Sequence, residues 1–259
     1  MNSDNDLDFL LKILISEHNE EIEIPKKYEE KKKLFRALRN IRPPKPINKK
    51  FLKVQDSFLT KDTESKNLIG ASEIKSIKSN DKIALWQGDI TLLKSDAIVN
   101  ACNNRLLGCF IPLHNCIDNI IHSAAGIQLR NDCNDIMKNQ GHYEENGKAK
   151  ITLAYNLPSK YVIHTVGPQI INKLCEKDCK ELSSCYSSSL MLAEEYNIKF
   201  IAFPCISTGV YNFPEEIAAQ IAIKTVENYF KENNDSKIEK VIFDVFTERS
   251  CYIYKKILQ

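Results

Sequence analysis

Two cysteines and a histidine lie within eight residues, in the segment GCFIPLHNC. Cys109, His114 and Cys116 follow the spacing C-x4-H-x-C and supply two thiolates and an imidazole, donors that Zn2+ prefers over harder oxygen ligands. Structural zinc sites usually have four protein ligands, whereas catalytic sites keep a position open. No fourth ligand follows at finger-like spacing. The triplet therefore favours a catalytic Zn2+, and a structural site closed by a distant cysteine is the alternative.

An α/β fold must position these residues. Short apolar runs alternate with helical segments from residue 82 onward, and six runs are predicted strands: IALWQGDI, DAIVNA, AKITLAY, YVIHTVG, KFIAFPCI and KIEKVIFDVF. Helices are predicted over residues 116–139, 178–196, 214–231 and 247–258. This alternation is typical of a mixed or largely parallel sheet with helices on both faces. Ligands bind such sheets at the carboxyl ends of the strands.

The first 70 or so residues form a predicted helical layer. Leucines 7, 10, 11 and 14 recur at helical spacing, a second helix ends at RPPKP, and a third piece covers residues 51–59. The polar stretch KDTESKN is the predicted linker. We therefore divide the chain into a helical extension, residues 1–75, in which no chemistry is visible, and an α/β domain, residues 76–259.

Composition limits the partners and the compartment. A net charge of +2 without a clustered basic surface argues against nucleic acid and membranes as partners. No apolar stretch reaches the length needed to span a bilayer. The nine cysteines are an odd number with no signal peptide before them, which predicts a reducing compartment and free thiols. We expect a cytoplasmic monomer.

Four ordered motifs resemble the macrodomain family, whose α/β/α fold binds ADP-ribose. They are GDIT at 88–91, VNACN at 99–103, CIDNIIHSAAG at 116–126 and PCISTGVYNFP at 204–214. The inserted GCFIPLHNC resembles the zinc-containing macrodomains of microbes, which the family relates to protein-ADP-ribose hydrolase activity. The N-terminal helices and RPPKP resemble the extension of those members. The resemblance covers about residues 80–259 and implies a three-layer α/β/α macrodomain with a mixed central sheet, preceded by a small helical extension.

The resemblance also implies how ADP-ribose is bound. Asp89 would accept from the exocyclic amine of adenine and the Ile90 amide would donate, although an aspartate after a strand is also a common turn residue. The positive end of the helix beginning near Cys116 would favour the diphosphate. The implied ADP-ribose-binding residues are Asp89, Ile90, Asn100, Asn103, Cys116, Ile117, Asp118, Ser207, Thr208, Gly209, Val210, Tyr211 and Phe213.

Two loops would face the phosphates and the distal ribose. In STGVYNFP, small residues let the backbone approach a ligand and consecutive amides can form a concavity for the diphosphate, with an ordinary strand-to-helix turn as the alternative. Tyr211 or Phe213 would cover the distal ribose. The other loop has CFIPLHNC where most macrodomains have a run of glycines, so metal coordination would give this loop its shape.

For catalysis the resemblance implies the pair Asn103 and Asp118. Asn103 would fix the distal ribose, and Asp118 would orient or deprotonate a water or a ribose hydroxyl. Because two thiolates weaken the acidification of metal-bound water, we rank substrate positioning and polarisation by Zn2+ above hydroxide generation. The predicted function is zinc-dependent removal of mono-ADP-ribose from protein. Two alternatives remain open: a non-catalytic ADP-ribose reader with a structural zinc, and a hydrolase of small ADP-ribose derivatives.

Other side chains with possible chemistry have simpler interpretations. His122 lies one helical turn after Asp118 and His164 lies within an apolar strand, so both are predicted to be hydrogen-bonded histidines in the core or behind the site. Cys175 and Cys179 resemble half of a second metal site, but the sequence offers no nearby partner for them.

Overall fold

The computed structural model describes residues 3–19 and 21–259. Its helices are α1 (Ser3–Ile15), α2 (Tyr28–Ile41), α3 (Lys49–Glu64), α4 (Ile117–Ala125), α5 (Ile127–Gln140), α6 (Glu176–Glu195), α7 (Glu215–Glu232) and α8 (Glu248–Leu258). Its strands are β1 (Ile69–Gly70), β2 (Ser76–Ile77), β3 (Asn80–Gln87), β4 (Leu93–Lys94), β5 (Ala97–Cys102), β6 (Ala149–Leu153), β7 (Tyr161–Val166), β8 (Phe200–Phe203) and β9 (Lys240–Val245).

Seven strands form one mixed sheet in the order β2-β3-β9-β8-β5-β7-β6. The neighbours from β3 to β7 pair in parallel, whereas β2 and β6 pair antiparallel at the two edges. The short strands β1 and β4 form a separate parallel pair. The predicted mixed sheet is confirmed. Because the carboxyl ends of parallel strands lie at the same edge, the loops after β3, β5, β8 and β9 come together there.

Alternate side chains of the central strands face two separate cores. Val99 and Phe243 belong to the core that includes α6, α7 and α8, while Ile98 and Ile242 belong to the core that includes α4 and α5. Successive side chains of a strand point to opposite faces, so a strand covered on both sides is apolar throughout. This explains the continuous apolar runs in the sequence and confirms the predicted three-layer α/β/α architecture.

The three N-terminal helices have a core of their own. The four leucines of α1 are buried with Phe35 and Phe51, and the rings of Phe35 and Phe58 pack edge to face at 5.5 Å between centroids. Ile127, at the start of α5, belongs to the same cluster. The predicted helical extension is confirmed, and it packs directly on the layer formed by α4 and α5.

The single helix predicted over residues 116–139 is two helices. Gly126 separates them with φ 100° and ψ 176°, a backbone conformation that residues other than glycine rarely adopt. A methyl group on Gly126 would lie 2.8 Å from Gln55 Nε2, because α3 packs against this corner. Gln55 Oε1 also accepts from the Ile127 N–H at 3.3 Å. The corner between the two helices is therefore also held by a side chain distant in sequence.

The nine cysteines are free thiols in this structure. Cys175 is the N-cap residue of α6 and forms a capping box with Asp178. The Asp178 carboxylate accepts from the Cys175 backbone N–H at 2.9 Å. Its position is therefore that of a helix cap. Over the described residues, no helix is both long and apolar enough to cross a bilayer.

Candidate active site

Asp118 lies in the first turn of α4, and two asparagine amides face its carboxylate. Asn100 Nδ2, on β5, donates to Asp118 Oδ1 at 2.9 Å, and Asn103 Nδ2, in the loop after β5, donates to Oδ2 at 3.3 Å. Asp118 is 5% exposed, and burial raises its pKa to about 6. Such a carboxylate is ionised at neutral pH and accepts a proton more readily than an exposed aspartate does. The structure thus places the predicted catalytic pair in contact.

Asn100 is held from behind by His164. Asn100 Nδ2 lies 3.2 Å from His164 Nδ1, and His164 Nε2 lies 3.0 Å from Thr152 Oγ1. Burial lowers the pKa of His164 to about 3, so the ring is neutral. The tautomer that satisfies this network has Nε2–H donating to Thr152 and Nδ1 accepting from Asn100. Asn100, predicted to bind ADP-ribose, is wholly buried, which places it beneath the site.

His122 lies one turn after Asp118, also behind the carboxylate. Its Nε2 is 3.5 Å from Asp118 Oδ1, and both ring nitrogens are buried with no hydrogen-bond partner among the described residues. Burial, together with the charge on Arg130, holds the pKa of His122 well below its usual range. The predicted hydrogen-bonded histidine is therefore confirmed for His164. His122 has the predicted location but lacks the hydrogen bond.

The side chains of Cys109, His114 and Cys116 converge in the loop between β5 and α4. Their ligand atoms lie within 4.8 Å of one another, and Cys109 Sγ is 3.5 Å from His114 Nδ1. All three residues are partly buried. Within the described residues, no fourth cysteine, histidine or acid joins the group. This donor set fits Zn2+ and leaves one of the four tetrahedral positions without a protein ligand.

The metal-ligand loop, residues 109–116, is shaped by neighbouring groups that the sequence did not reveal. Gly108 precedes it with φ 78°, and a methyl group there would lie 2.9 Å from the His122 ring. From α4, Asn119 Nδ2 donates to the carbonyl oxygens of Ile111 at 2.9 Å and Cys109 at 3.3 Å. Hydrogen bonds from outside the loop therefore fix its backbone, in addition to any effect of metal coordination.

The loop after β8 presents unused hydrogen-bond donors. Ser207 has φ 65° and a buried hydroxyl that has no partner in the described part of the chain. Among the described residues, the amides of Gly209, Val210 and Tyr211 donate to no protein acceptor. Successive free amides of this kind form an anion-binding concavity. The first-turn amides of α4 likewise have no partner within their helix, so its N-terminus favours negative charge.

Tyr211 links this loop to the catalytic side of the site. Burial raises the pKa of Tyr211, and the nearby charge of Asp118 raises it further. Phe213, by contrast, is 2% exposed and belongs to the core beneath α6 and α7. Of the two aromatic residues predicted to cover the distal ribose, only Tyr211 lies at the site.

Asp89 follows β3 and combines a turn role with features that suit the predicted contact to adenine. Its Oδ1 accepts from the backbone N–H and the hydroxyl of Thr91 at 2.9 and 2.6 Å, so Asp89 is a turn residue. Within the described chain, Oδ2 has no partner and the Ile90 amide donates to no acceptor. The predicted acceptor and donor for adenine are therefore both available.

Phe246 is a further candidate residue that the sequence motifs did not indicate. It follows β9 next to the Asp89 turn, because the Gly88 N–H donates to the Val245 carbonyl at 3.2 Å. Phe246 is 76% exposed, although it directly follows a buried strand. An aromatic ring exposed beside an adenine-type donor and acceptor pair can stack on a base. Its position at the end of the run KVIFDVF was the available signal.

Comparison with known proteins agrees with the fold. The Macro domain family model matches residues 99–222. A protein-ADP-ribose hydrolase of Treponema medium is 46% identical over 254 residues, covering 96% of this chain and 97% of the relative. The Trypanosoma brucei macrodomain in complex with ADP-ribose is 27% identical with a TM-score of 0.68, covering 86% of this chain and 95% of that one. The Oceanobacillus iheyensis macrodomain with ADP is 36% identical with a TM-score of 0.62, covering 69% and 91%. This chain belongs to the macrodomain family.

Proposed function

We propose that this protein removes mono-ADP-ribose from modified proteins by hydrolysis. Its similarity to a protein-ADP-ribose hydrolase over nearly the whole chain identifies it as an enzyme of this class. The observation that carries the proposal for this site is the buried Asp118 carboxylate, held by Asn100 and Asn103 next to the metal-ligand loop. A protein that only binds ADP-ribose has no need of a buried carboxylate at this position.

The ligand would lie along the carboxyl edge of the sheet. Adenine would donate from its exocyclic amine to Asp89 Oδ2 and stack on Phe246. The diphosphate would accept from the free amides of residues 209–211 and from the N-terminus of α4. The distal ribose would then lie under Tyr211, whose surroundings include Asp118 and Cys116. This order brings the anomeric carbon towards the catalytic pair.

Asp118 would act on a water molecule or a ribose hydroxyl. As a base it would take a proton from water while the water oxygen bonds to the anomeric carbon, the bond to the modified side chain breaks, and the proton passes to the leaving group. The Asn103 amide would fix a ribose hydroxyl. Bound by Cys109, His114 and Cys116, Zn2+ would supply Lewis-acid polarisation of an oxygen of the substrate. Zinc dependence is part of this proposal.

The test is a time course of ADP-ribose release from mono-ADP-ribosylated acceptor proteins. Acceptors modified through acidic, serine and arginine linkages are compared, using enzyme whose zinc content has been measured. Release in proportion to bound zinc supports both parts of the proposal. Release that does not depend on zinc supports hydrolysis and removes the metal's role. Tight ADP-ribose binding with no release from any linkage would identify a reader.

A further inference from the structure

The N-terminal extension reaches the metal-ligand loop through α2. The Arg36 guanidinium donates from Nη2 to the His114 carbonyl oxygen at 2.6 Å and to Asn119 Oδ1 at 2.9 Å. Asn119 itself holds the first half of the loop. One arginine of the extension therefore contacts the backbone of a candidate metal ligand and the side chain that supports the rest of the loop.

A second contact from α2 lies on the other side of His114. Asn40 Oδ1 accepts from the Leu113 N–H at 3.0 Å, and its Nδ2 donates to Ser123 Oγ on α4 at 2.9 Å. Leu113 has φ 56°, a left-handed conformation that a leucine rarely adopts. Asn40 is wholly buried, so this bond is shielded from water. The bond is made to the residue of the loop whose backbone is in this rare conformation.

The end of α2 is itself fixed to the layer beneath it. Arg130 Nη1, on α5, donates to the carbonyl oxygens of Arg39, Asn40 and Arg42 at 3.0, 2.8 and 2.6 Å. Arg39 Nη1 donates in return to the Ser123 carbonyl at 2.7 Å. These buried bonds fix the end of α2 against α4 and α5. A side chain on a helix held in this way can act as a rigid support.

We propose that Arg36 and Asn40 are positioning residues for the metal, which hold the loop backbone on both sides of His114 in the metal-binding conformation. The inference rests on the proposed metal site. A loop that is already ordered loses less conformational entropy when the ion binds. Supporting contacts of metal ligands typically change metal affinity by about 10- to 100-fold. The extension thus acquires a role in the chemistry of the site.

The test measures zinc affinity and zinc dissociation for the full chain by competition with a chromogenic chelator. Arg36→Met keeps much of the side-chain volume and removes both hydrogen bonds. We expect it to weaken zinc binding about 10- to 100-fold and to speed dissociation. The matched control is Lys32→Met, one turn earlier on α2, where the lysine bonds to Asp62 on α3 and not to the loop. The control should bind zinc as the wild type does.

A second variant keeps the inference testable if Arg36→Met does not fold. Asn40→Ser is too short to reach the Leu113 N–H, and it should also weaken zinc binding. Wild-type zinc affinity in whichever of these variants folds would overturn the inference and leave the proposed hydrolysis untouched. A wild-type protein that binds no zinc would overturn the metal site and the inference together, while the release assay still decides hydrolysis.

Discussion

Asn100 joins Asp118 to His164 through a single side-chain amide, with Nδ2 2.9 Å from the carboxylate oxygen and 3.2 Å from the ring nitrogen. Both protons of that amide have an acceptor when His164 is neutral. The direction of the Asp118 carboxylate is therefore set from inside the sheet, by buried residues on β5 and β7.

Replacing Asp118 by alanine should abolish turnover and leave ADP-ribose binding nearly intact. Loss of a general base lowers kcat by about 100-fold or more. The dissociation constant for ADP-ribose, measured by calorimetry, should stay within about threefold, which is less than 1 kcal/mol. Asp135→Ala, which removes an exposed carboxylate of α5, is the control. Loss of binding together with turnover would instead mean that Asp118 shapes the pocket.

Replacing Cys109 by serine should remove the metal and the activity together. A hydroxyl is a much poorer zinc ligand than a thiolate, and only two strong protein ligands would remain. The zinc content of the purified variant, measured by mass spectrometry, should fall to background. The control is Cys175→Ser, an exposed cysteine that caps α6, and it should keep its zinc. Full turnover by metal-free Cys109→Ser would rule out a catalytic metal.

Phe246→Ala tests the proposed stacking of adenine. The side chain is exposed, so its removal should leave thermal stability unchanged. Stacking of a base on an aromatic ring contributes about 1 to 3 kcal/mol, so the dissociation constant for ADP-ribose should rise about 5- to 150-fold. Tyr252→Ala removes another exposed aromatic, 69% accessible on α8, and should bind normally. Equal affinities of the two variants would contradict the stacking.

The pKa of His164 predicts how stability depends on pH. It is about 3 in the folded protein and about 6.5 in an unfolded chain, so below pH 6.5 the unfolded state binds a proton that the native state does not. The free energy of unfolding should therefore fall as the pH falls, by up to about 1.4 kcal/mol per pH unit for this residue. Above pH 6.5 the contribution of His164 to the free energy of unfolding is fully present and no longer changes with pH.

Urea unfolding of His164→Gln between pH 7.5 and 5 measures that contribution. The variant lacks the titrating ring, so its stability should decline with acid by about 1 kcal/mol per pH unit less than that of the wild type. His142→Gln, which replaces an exposed histidine, is the matched control. Identical slopes for wild type and His164→Gln would contradict the depressed pKa.

Local patterns in the sequence predicted the central layers, because the strands and helices of those layers are determined by residues close together in the sequence. The apolar runs of β5 and β9 reflect burial on both faces, and alternation with helices predicted the layers. The corner at Gly126, where α4 ends, is also held by Gln55 from α3, and no local pattern contains that contact. The helix was therefore predicted as one.

The candidate site shows the same division. Asn103 and Asp118 were predicted through the family motifs, and their contact is observed. Asn100 and Phe213 were predicted to bind the ligand because polar and aromatic side chains are common in such sites. The geometry of the strand and of the turn buries both side chains. Arg36 lies 78 residues before His114, so only the three-dimensional packing reveals that the extension supports the loop.

The buried guanidinium of Arg130 ties α5 to the last carbonyls of α2, which lie 88 to 91 residues earlier. A chain shortened to begin at residue 76 would lose these three acceptors and the packing that covers the guanidinium. It would also expose Ile127, which packs against the apolar residues of the extension. We therefore expect the extension and the sheet domain to unfold in one cooperative transition, as a single folding unit.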